Sequence, residues 1–272
     1  MIPHEFIRHL PPLSPVAQSL VTTLSNEAAD LQRILSQIEL DPGLSVRVLR
    51  VANSAFYGLS GRIGSVREAA LLLGFSSLRS IVLASCLDSI FPSRTAGVID
   101  RGARWRRSFL KALYAQHLAK VLRLDDGLAF TGGLLQEIGL FLLDVTHPRE
   151  LRQALALTEE SRISLVEAEV RLVGIDHYEL GAEVLTVWHF PPPIIDIVRQ
   201  GAATGGVSDD PLVALVQVAE NMVGEDEGAP CEVVSGWLGP LCQQTGIPFA
   251  GVFASLPERQ ALNQYVDELL QD

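Results

Sequence analysis

Leu134-Leu135-Gln136-Glu137-Ile138-Gly139-Leu140-Phe141-Leu142-Leu143 is apolar on every side except for one amide and one carboxylate at its centre. A helix without a polar face is a buried helix. A carboxylate carried into such a helix either finds a cation or loses its charge. The stretch therefore predicts a buried helix with a candidate site at Gln136-Glu137. The partner of Glu137 decides the chemistry. A metal ion implies an enzyme, and a basic side chain implies something else.

Outward from this stretch the apolar residues recur at helical spacing, and alternating β-branched runs are missing. Ser14 and Pro15 predict the start of a helix running to Leu24. Asp30 predicts the next, ended at Asp41-Pro42-Gly43, and a further one follows from Leu44 to Asn53. Ser65 caps a short helix stopped at Gly74, and Ser76 or Ser77 begins another. Tyr57-Gly58-Leu59-Ser60-Gly61 reads as a loop. After Asp100 the helices lengthen. Pro211 opens a strongly apolar one, on which Gln217 and Asn221 are expected on the wetter side, opposite a core face bearing Glu220. Two last helices are expected near residues 233–244 and 257–270. Composition shifts at residues 91–97 and 201–206, with an acidic loop at 225–230, suggest segments 1–96, 97–200 and 201–272. The last segment is expected to complete the core, because the Glu220 helix is apolar enough to need burial.

The chain has 272 residues, is 48% hydrophobic and carries a net charge of −11. That charge argues against nucleic acid and against anionic membranes, both of which favour a basic face. Cys86, Cys231 and Cys242 form neither a disulfide framework nor a CxxC metal knuckle, which fits a reducing cytoplasm. The first ten residues, with His4, Glu5, Arg8 and His9, do not resemble a signal peptide. No run of about 18 uncharged apolar residues predicts membrane insertion. No Gly-x-Ser-x-Gly elbow, phosphate-cradling Gly loop or Cys/His nucleophile pair is present.

Several blocks then occur in an order that resembles one family. They are Leu10-Pro11-Pro12-Leu13, Asp41-Pro42-Gly43-Leu44, Arg50-Val51-Ala52-Asn53-Ser54-Ala55-Phe56-Tyr57-Gly58, and Ala69-Ala70-Leu71-Leu72-Leu73-Gly74. Trp105-Arg106-Arg107-Ser108, the Gly133–Gly139 stretch, Asp176-His177-Tyr178-Glu179-Leu180-Gly181-Ala182 and Trp188-His189-Phe190-Pro191 continue the series. Together they resemble the HDOD domain, the HD-related output domain of bacterial signalling proteins, over roughly residues 10 to 200. The resemblance implies an all-α fold: an N-terminal bundle of short helices packed on an HD-phosphohydrolase-like helical subdomain.

In the catalytic HD relatives the metal ligands are a His, a His-Asp pair and a distant Asp. The matching positions here hold Arg107, Gln136-Glu137 and Glu220. A further His-His pair would fall near Gly201-Ala202, and only His177 keeps a histidine that matches the pattern. A Gln carbonyl replaces imidazole poorly, and Arg repels a cation and has no lone pair to donate. The expectation is therefore a vestigial site formed by Arg107, Gln136, Glu137, His177 and Glu220, with no metal, no cofactor and no catalytic residue. Arg107 would pair with Glu137, Glu220 or both. On the competing reading, Arg107 joins Arg104 and Lys111 on a solvated basic edge.

Other polar residues carry two readings each. His177, behind the capping Asp176, either binds a ligand or is a hydrogen-bonded partner within the old site. Asn53 and Ser54 either contact a partner or a ligand between subdomains, or satisfy backbone groups at the turn into Phe56-Tyr57-Gly58. The basic island of Arg101, Arg104, Arg106, Arg107 and Lys111 either recognises phosphates or an acidic partner face, with Arg104 and Lys111 as contacts, or is a solvated helix side. The functional expectation is a non-catalytic bacterial signalling module working through protein–protein interaction. Its partners would be components of two-component or cyclic-dinucleotide pathways, as the resemblance implies. The alternatives are a degenerate metal-dependent phosphohydrolase and a nucleotide sensor using the vestigial site.

Overall fold

A computed structural model describes residues 10, 12–24, 31–53, 63–91, 97–201, 208–224 and 231–270. Expectations placed on Asp30, Ser54, Ala202, the loop at 57–61 and the acidic loop at 225–230 lie outside these residues, as does most of the 91–97 and 201–206 shifts. All regular structure among the described residues is helical. The helices are α1 (Pro15–Leu24), α2 (Leu31–Glu39), α3 (Pro42–Ala52), α4 (Val66–Leu73), α5 (Phe75–Ile90), α6 (Arg101–Leu122), α7 (Asp126–Leu135) and α8 (Ile138–Thr146). They continue as α9 (Pro148–Ser161), α10 (Leu165–Val173), α11 (His177–Val187), α12 (Pro192–Arg199), α13 (Pro211–Val223), α14 (Cys231–Thr245), α15 (Phe249–Ala254) and α16 (Arg259–Leu270).

Short polar residues set most of the starts. Ser14, Asp41, Ser65, Asp100, Asp125, Ser164, Asp176 and Asp210 each accept from a backbone N–H two or three residues on, which removes an orphan donor from the first turn. Asp41, expected to end one helix, also caps the next. Three expectations are corrected. The helix after Gly74 begins at Phe75 and not at Ser76 or Ser77. The C-terminal region contains a third, six-residue helix, α15. And residues 134–143 are not one helix: α7 ends at Leu135 and α8 begins at Ile138.

The break at Gln136-Glu137 follows from packing. Glu137 sits at φ −100°, ψ 14°, the sparsely used region between helix and strand where turns and site residues occur. The start of α8 is pressed against α11. A Cβ added at Gly139 would lie 1.9 Å from the carbonyl oxygen of His177 and 2.7 Å from the amide nitrogen of Gly181. A second close approach joins α7 to α6, where a Cβ at Gly133 would lie 3.2 Å from the Cα of Ala112.

The centre of the molecule is α6, which contacts α7, α13, α15 and α16 and is buried nearly all round. Helix α7 also meets α5, α12 and α13, so it links the N-terminal bundle of α1–α5 to the longer helices. Trp105 on α6 donates from its indole N–H to the carbonyl of Phe91 at 3.1 Å and stacks on Phe141 of α8, with ring centroids 4.8 Å apart. Residues 126–146 are long and apolar enough to cross a membrane by length and composition, but 89% of that window is buried within the fold and the helix is interrupted midway.

Gly139→Ala must displace backbone, so it should cost at least about 3 kcal/mol. Gly132→Ala meets only the movable side chain of Ile197, at 2.7 Å from its Cδ1, and should cost on the order of 1 kcal/mol. Urea denaturation of the two variants checks the order, and equal losses would contradict the close approach at Gly139.

Candidate functional site

Three cations project from one face of α6. Arg104, Arg107 and Lys111 are spaced three and four residues apart, so they stack along one side of the helix. Two carboxylates face them: Glu137 from the α7–α8 junction and Glu220 from α13. Arg107 forms an ion pair with Glu220 through Nη2, and its Nε lies 3.7 Å from Oε1 of Glu137. Lys111 Nζ lies 2.9 Å from Oε2 of Glu220 and 3.8 Å from Oε1 of Glu137. Arg104 Nη1 reaches Oε2 of Glu137 at 3.5 Å. Arg107 also donates to the carbonyl of Val223 at 3.5 Å.

Burial ranks these groups. The Lys111 side chain is 0% exposed and that of Glu137 6%, whereas Arg107 and Glu220 keep 22% and 26%. Lys111 is therefore the most deeply desolvated charge of the cluster, and Arg107 is the outer of the two cations on Glu220. Lys111 was expected at an interface or a solvated edge. With no exposure it cannot touch a partner, and its contacts are internal. Arg104, also expected there, is half-buried against Glu137.

Burial by itself pushes the Glu220 carboxyl up, but the neighbouring Lys111 and Arg107 charges and their hydrogen bonds outweigh it and hold the group at about 2. Burial pushes the Tyr178 hydroxyl up, and the nearby Glu220, Glu137 and Glu169 charges add to this, so Tyr178 stays protonated. The Tyr178 ring lies beside Gly201, where a Cβ would come within 2.3 Å of it and 3.0 Å of the Gln136 Cγ. Tyr178 thus packs near the position at which the HD pattern has a histidine. The Gln136 side chain is buried, and its Oε1 has no hydrogen-bond partner among the described residues.

His177 is directed elsewhere. Its Nδ1 lies 2.6 Å from Oε2 of Glu169, and its backbone N–H donates to the same oxygen at 3.0 Å. Glu169 sits on α10 and is fully buried. Asn53 acts as a bracket. Its amide donates to the carbonyls of Leu49 and Ile63, at 2.9 and 2.8 Å, and accepts from the Ile63 N–H at 3.0 Å. Those bonds use the side chain to satisfy backbone groups of Leu49 and Ile63. Gln217, expected on the wet side of α13, is buried because it ties Ser208 N–H and the Gln200 carbonyl. Arg101, grouped with the basic island, is likewise buried. It holds Asp144 at 2.6 Å, and Asp144 also accepts from the Val98 N–H at 2.6 Å.

The residues do not fit the metal ion of the HD relatives. A divalent ion needs carboxylate and imidazole donors free of competing cations. Here both glutamates are already engaged by permanent charges, the imidazole is turned to Glu169, and the described residues contain no group of three or more His, Cys, Asp or Glu side chains suited to an ion.

With this geometry established, the comparisons give the class. The HDOD domain profile matches residues 10–203, and the chain belongs to the HDOD family, a family of signalling domains. The fold is similar to an HDOD domain protein of unknown function from Geobacter sulfurreducens, with a TM-score of 0.82 and 22% identity over 98% of this chain and 96% of that one. It is also similar to a protein of Shewanella amazonensis named "Putative phosphohydrolase", with a TM-score of 0.76 and 24% identity over 97% and 96% of the two chains. An uncharacterized protein of Treponema pallidum is 23% identical over 196 residues, which are 71% of this chain and 37% of that protein. The chain thus spans well under half of that curated relative.

A carboxyl depressed on folding contributes stability that is complete above its ordinary value of 4.5 and is lost as pH falls towards about 2. For Glu220 that contribution is on the order of 3 kcal/mol at neutral pH, trimmed by its partial exposure. Glu220→Gln should therefore cost about 3 kcal/mol at pH 7 and less than half as much at pH 3, measured by urea denaturation. Adding Lys111→Met should recover part of the loss at pH 7, because no buried ammonium is then left without its carboxylate. Additive losses would show that Lys111 and Glu220 are not coupled.

Proposed function

We propose that the chain is a non-catalytic signalling module of a bacterial cell that acts by binding other proteins. The observation that carries this reading is Lys111, whose ammonium lies 2.9 Å from Glu220 and 3.8 Å from Glu137, the two acids at the ligand positions of the HD pattern. An ammonium and a guanidinium can bridge carboxylates, as a metal does, and so hold helices in register. Neither can polarise a phosphoryl oxygen as a Lewis acid or generate a bound hydroxide at neutral pH. The scaffold keeps its cross-link without the hydrolytic chemistry. Its output is then a surface, and its partners are components of two-component or cyclic-dinucleotide signalling in the cytoplasm.

The competing reading is a metal-dependent phosphohydrolase with an altered site, for which the likeness to the Shewanella protein supplies only a fold. Metal analysis of the purified protein and phosphodiesterase assays with added manganese or magnesium separate the two. The expected result is no stoichiometric metal and no turnover above background. Tightly held metal, with activity that disappears in Glu137→Gln, would overturn the non-catalytic reading. Native co-purification should return a signalling protein whose binding survives Glu137→Gln in folded samples.

A further inference from the structure

A cavity of about 330 Å³ lies on the far side of Arg107, between α6, the end of α13 and the start of α16. Its wall includes Arg106, Arg107, Arg259, Asn263, Leu110 and Val223. Three guanidiniums on one small cavity run against the composition of a chain with 32 acids and 21 bases. Two of the three are tied back. Arg106 pairs with Asp267 and donates to Asn263 at 3.2 Å, and Arg107 pairs with Glu220 and reaches the Val223 carbonyl. Arg259 lines the cavity, and its Nη1 is buried without a hydrogen-bond partner among the described residues. A desolvated guanidinium nitrogen with nothing to donate to among the described residues is costly, so its place beside a cavity suits an acceptor bound there.

We propose that this cavity binds the phosphoryl group of a small phosphorylated molecule, with Arg259 as the principal donor and Arg106 and Arg107 flanking it. Planar guanidinium forks match phosphate oxygens and hold them by charge-assisted bonds. Leu110 and Val223 give an apolar wall for a small organic body, and the volume is near the lower end for small-molecule pockets, too small for a polymer. Asn263 keeps a neutral side chain among the arginines, where an acid would repel the ligand. Arg107 belongs both to this wall and to the pair with Glu220, so occupancy would draw on the charge cluster and could pass from the cavity to α13. The site goes beyond the partner-binding reading and does not depend on it.

The test is calorimetric titration of the full chain at low ionic strength with two probes, inorganic pyrophosphate and adenosine 5′-monophosphate. They distinguish a site for phosphoryl groups alone from one that also takes an organic body. Pyrophosphate should bind with a Kd below about 1 mM and weaken as salt is added. Arg259→Gln should weaken binding about tenfold or more, and so should Asn263→Asp, which places a negative charge in the cavity while preserving a partner for Arg106. Both variants should still unfold in a single cooperative urea transition, which separates lost binding from lost folding. Absence of binding by either probe at millimolar concentration, or affinities unchanged in both variants, overturns the proposal.

Discussion

A fully desolvated ammonium is among the least tolerable groups a protein interior can hold, and Lys111 is one. It persists because two carboxylates from two other segments reach it, Glu220 from α13 and Glu137 from the α7–α8 junction. Arg107, one turn earlier, closes the same pair from the outer side. Two segments are thereby fixed relative to α6. Apolar packing alone would let helices slide by a fraction of a turn, whereas a charge that must meet a charge has one acceptable position. The cluster's contribution is one of register more than of net stability, since an apolar replacement of similar volume is often as stable as a buried ion pair.

The same logic recurs at two smaller sites and explains why so apolar a fold tolerates buried ions. Arg101 and Asp144 pair at 2.6 Å, and the remaining capacity of Asp144 is taken by the Val98 and Ile99 amides that lead into α6. Glu169 is buried on α10 and holds both the ring and the backbone N–H of His177 at the head of α11. Each pair sits where the chain enters a helix, α6 in the first case and α11 in the second. Between them the stack of Phe91, Trp105 and Phe141 joins the end of α5 to α6 and α8. Ionic contacts set the entry points, and aromatic contacts carry the burial.

Much of the architecture was legible in the sequence. Helical spacing and capping residues at Ser14, Ser65 and Asp176 placed helix starts, and the family blocks fixed the all-α class. The expectation that Arg107 pairs with Glu137, Glu220 or both came from one cation and two acids at the three ligand positions, and Arg107 lies near both. The role of Lys111 did not follow, although its spacing from Arg104 and Arg107 put it on the same face. An isolated lysine beside several arginines reads as surface until the helix packed over it is known. The break at Gln136-Glu137 was hidden because periodicity in an all-apolar run carries no phase. What stops that helix is the close approach of Gly139 to α11, a contact between residues far apart in sequence. Gln217 misled for a related reason: its burial depends on backbone groups of Gln200 and Ser208 brought close only by the fold.

A brace built of side chains behaves differently from one built on a metal ion. A metal site must keep a coordination position open to act on substrate, and that opening weakens the site as a structural brace. Lys111 and Arg107 are covalently part of α6, need no supply of metal and resist competition from chelators. Guanidinium remains charged at any physiological pH. Glu220, held at about 2, stays ionised with it, so the pair is insensitive to the pH range in which a cell operates. A brace with those properties holds the helices around α6 in place across that pH range, while Arg107 also lines the cavity beside it. A response the protein makes would then enter through that cavity or through its outer surface, because Glu137 and Glu220 are already held by Lys111 and Arg107.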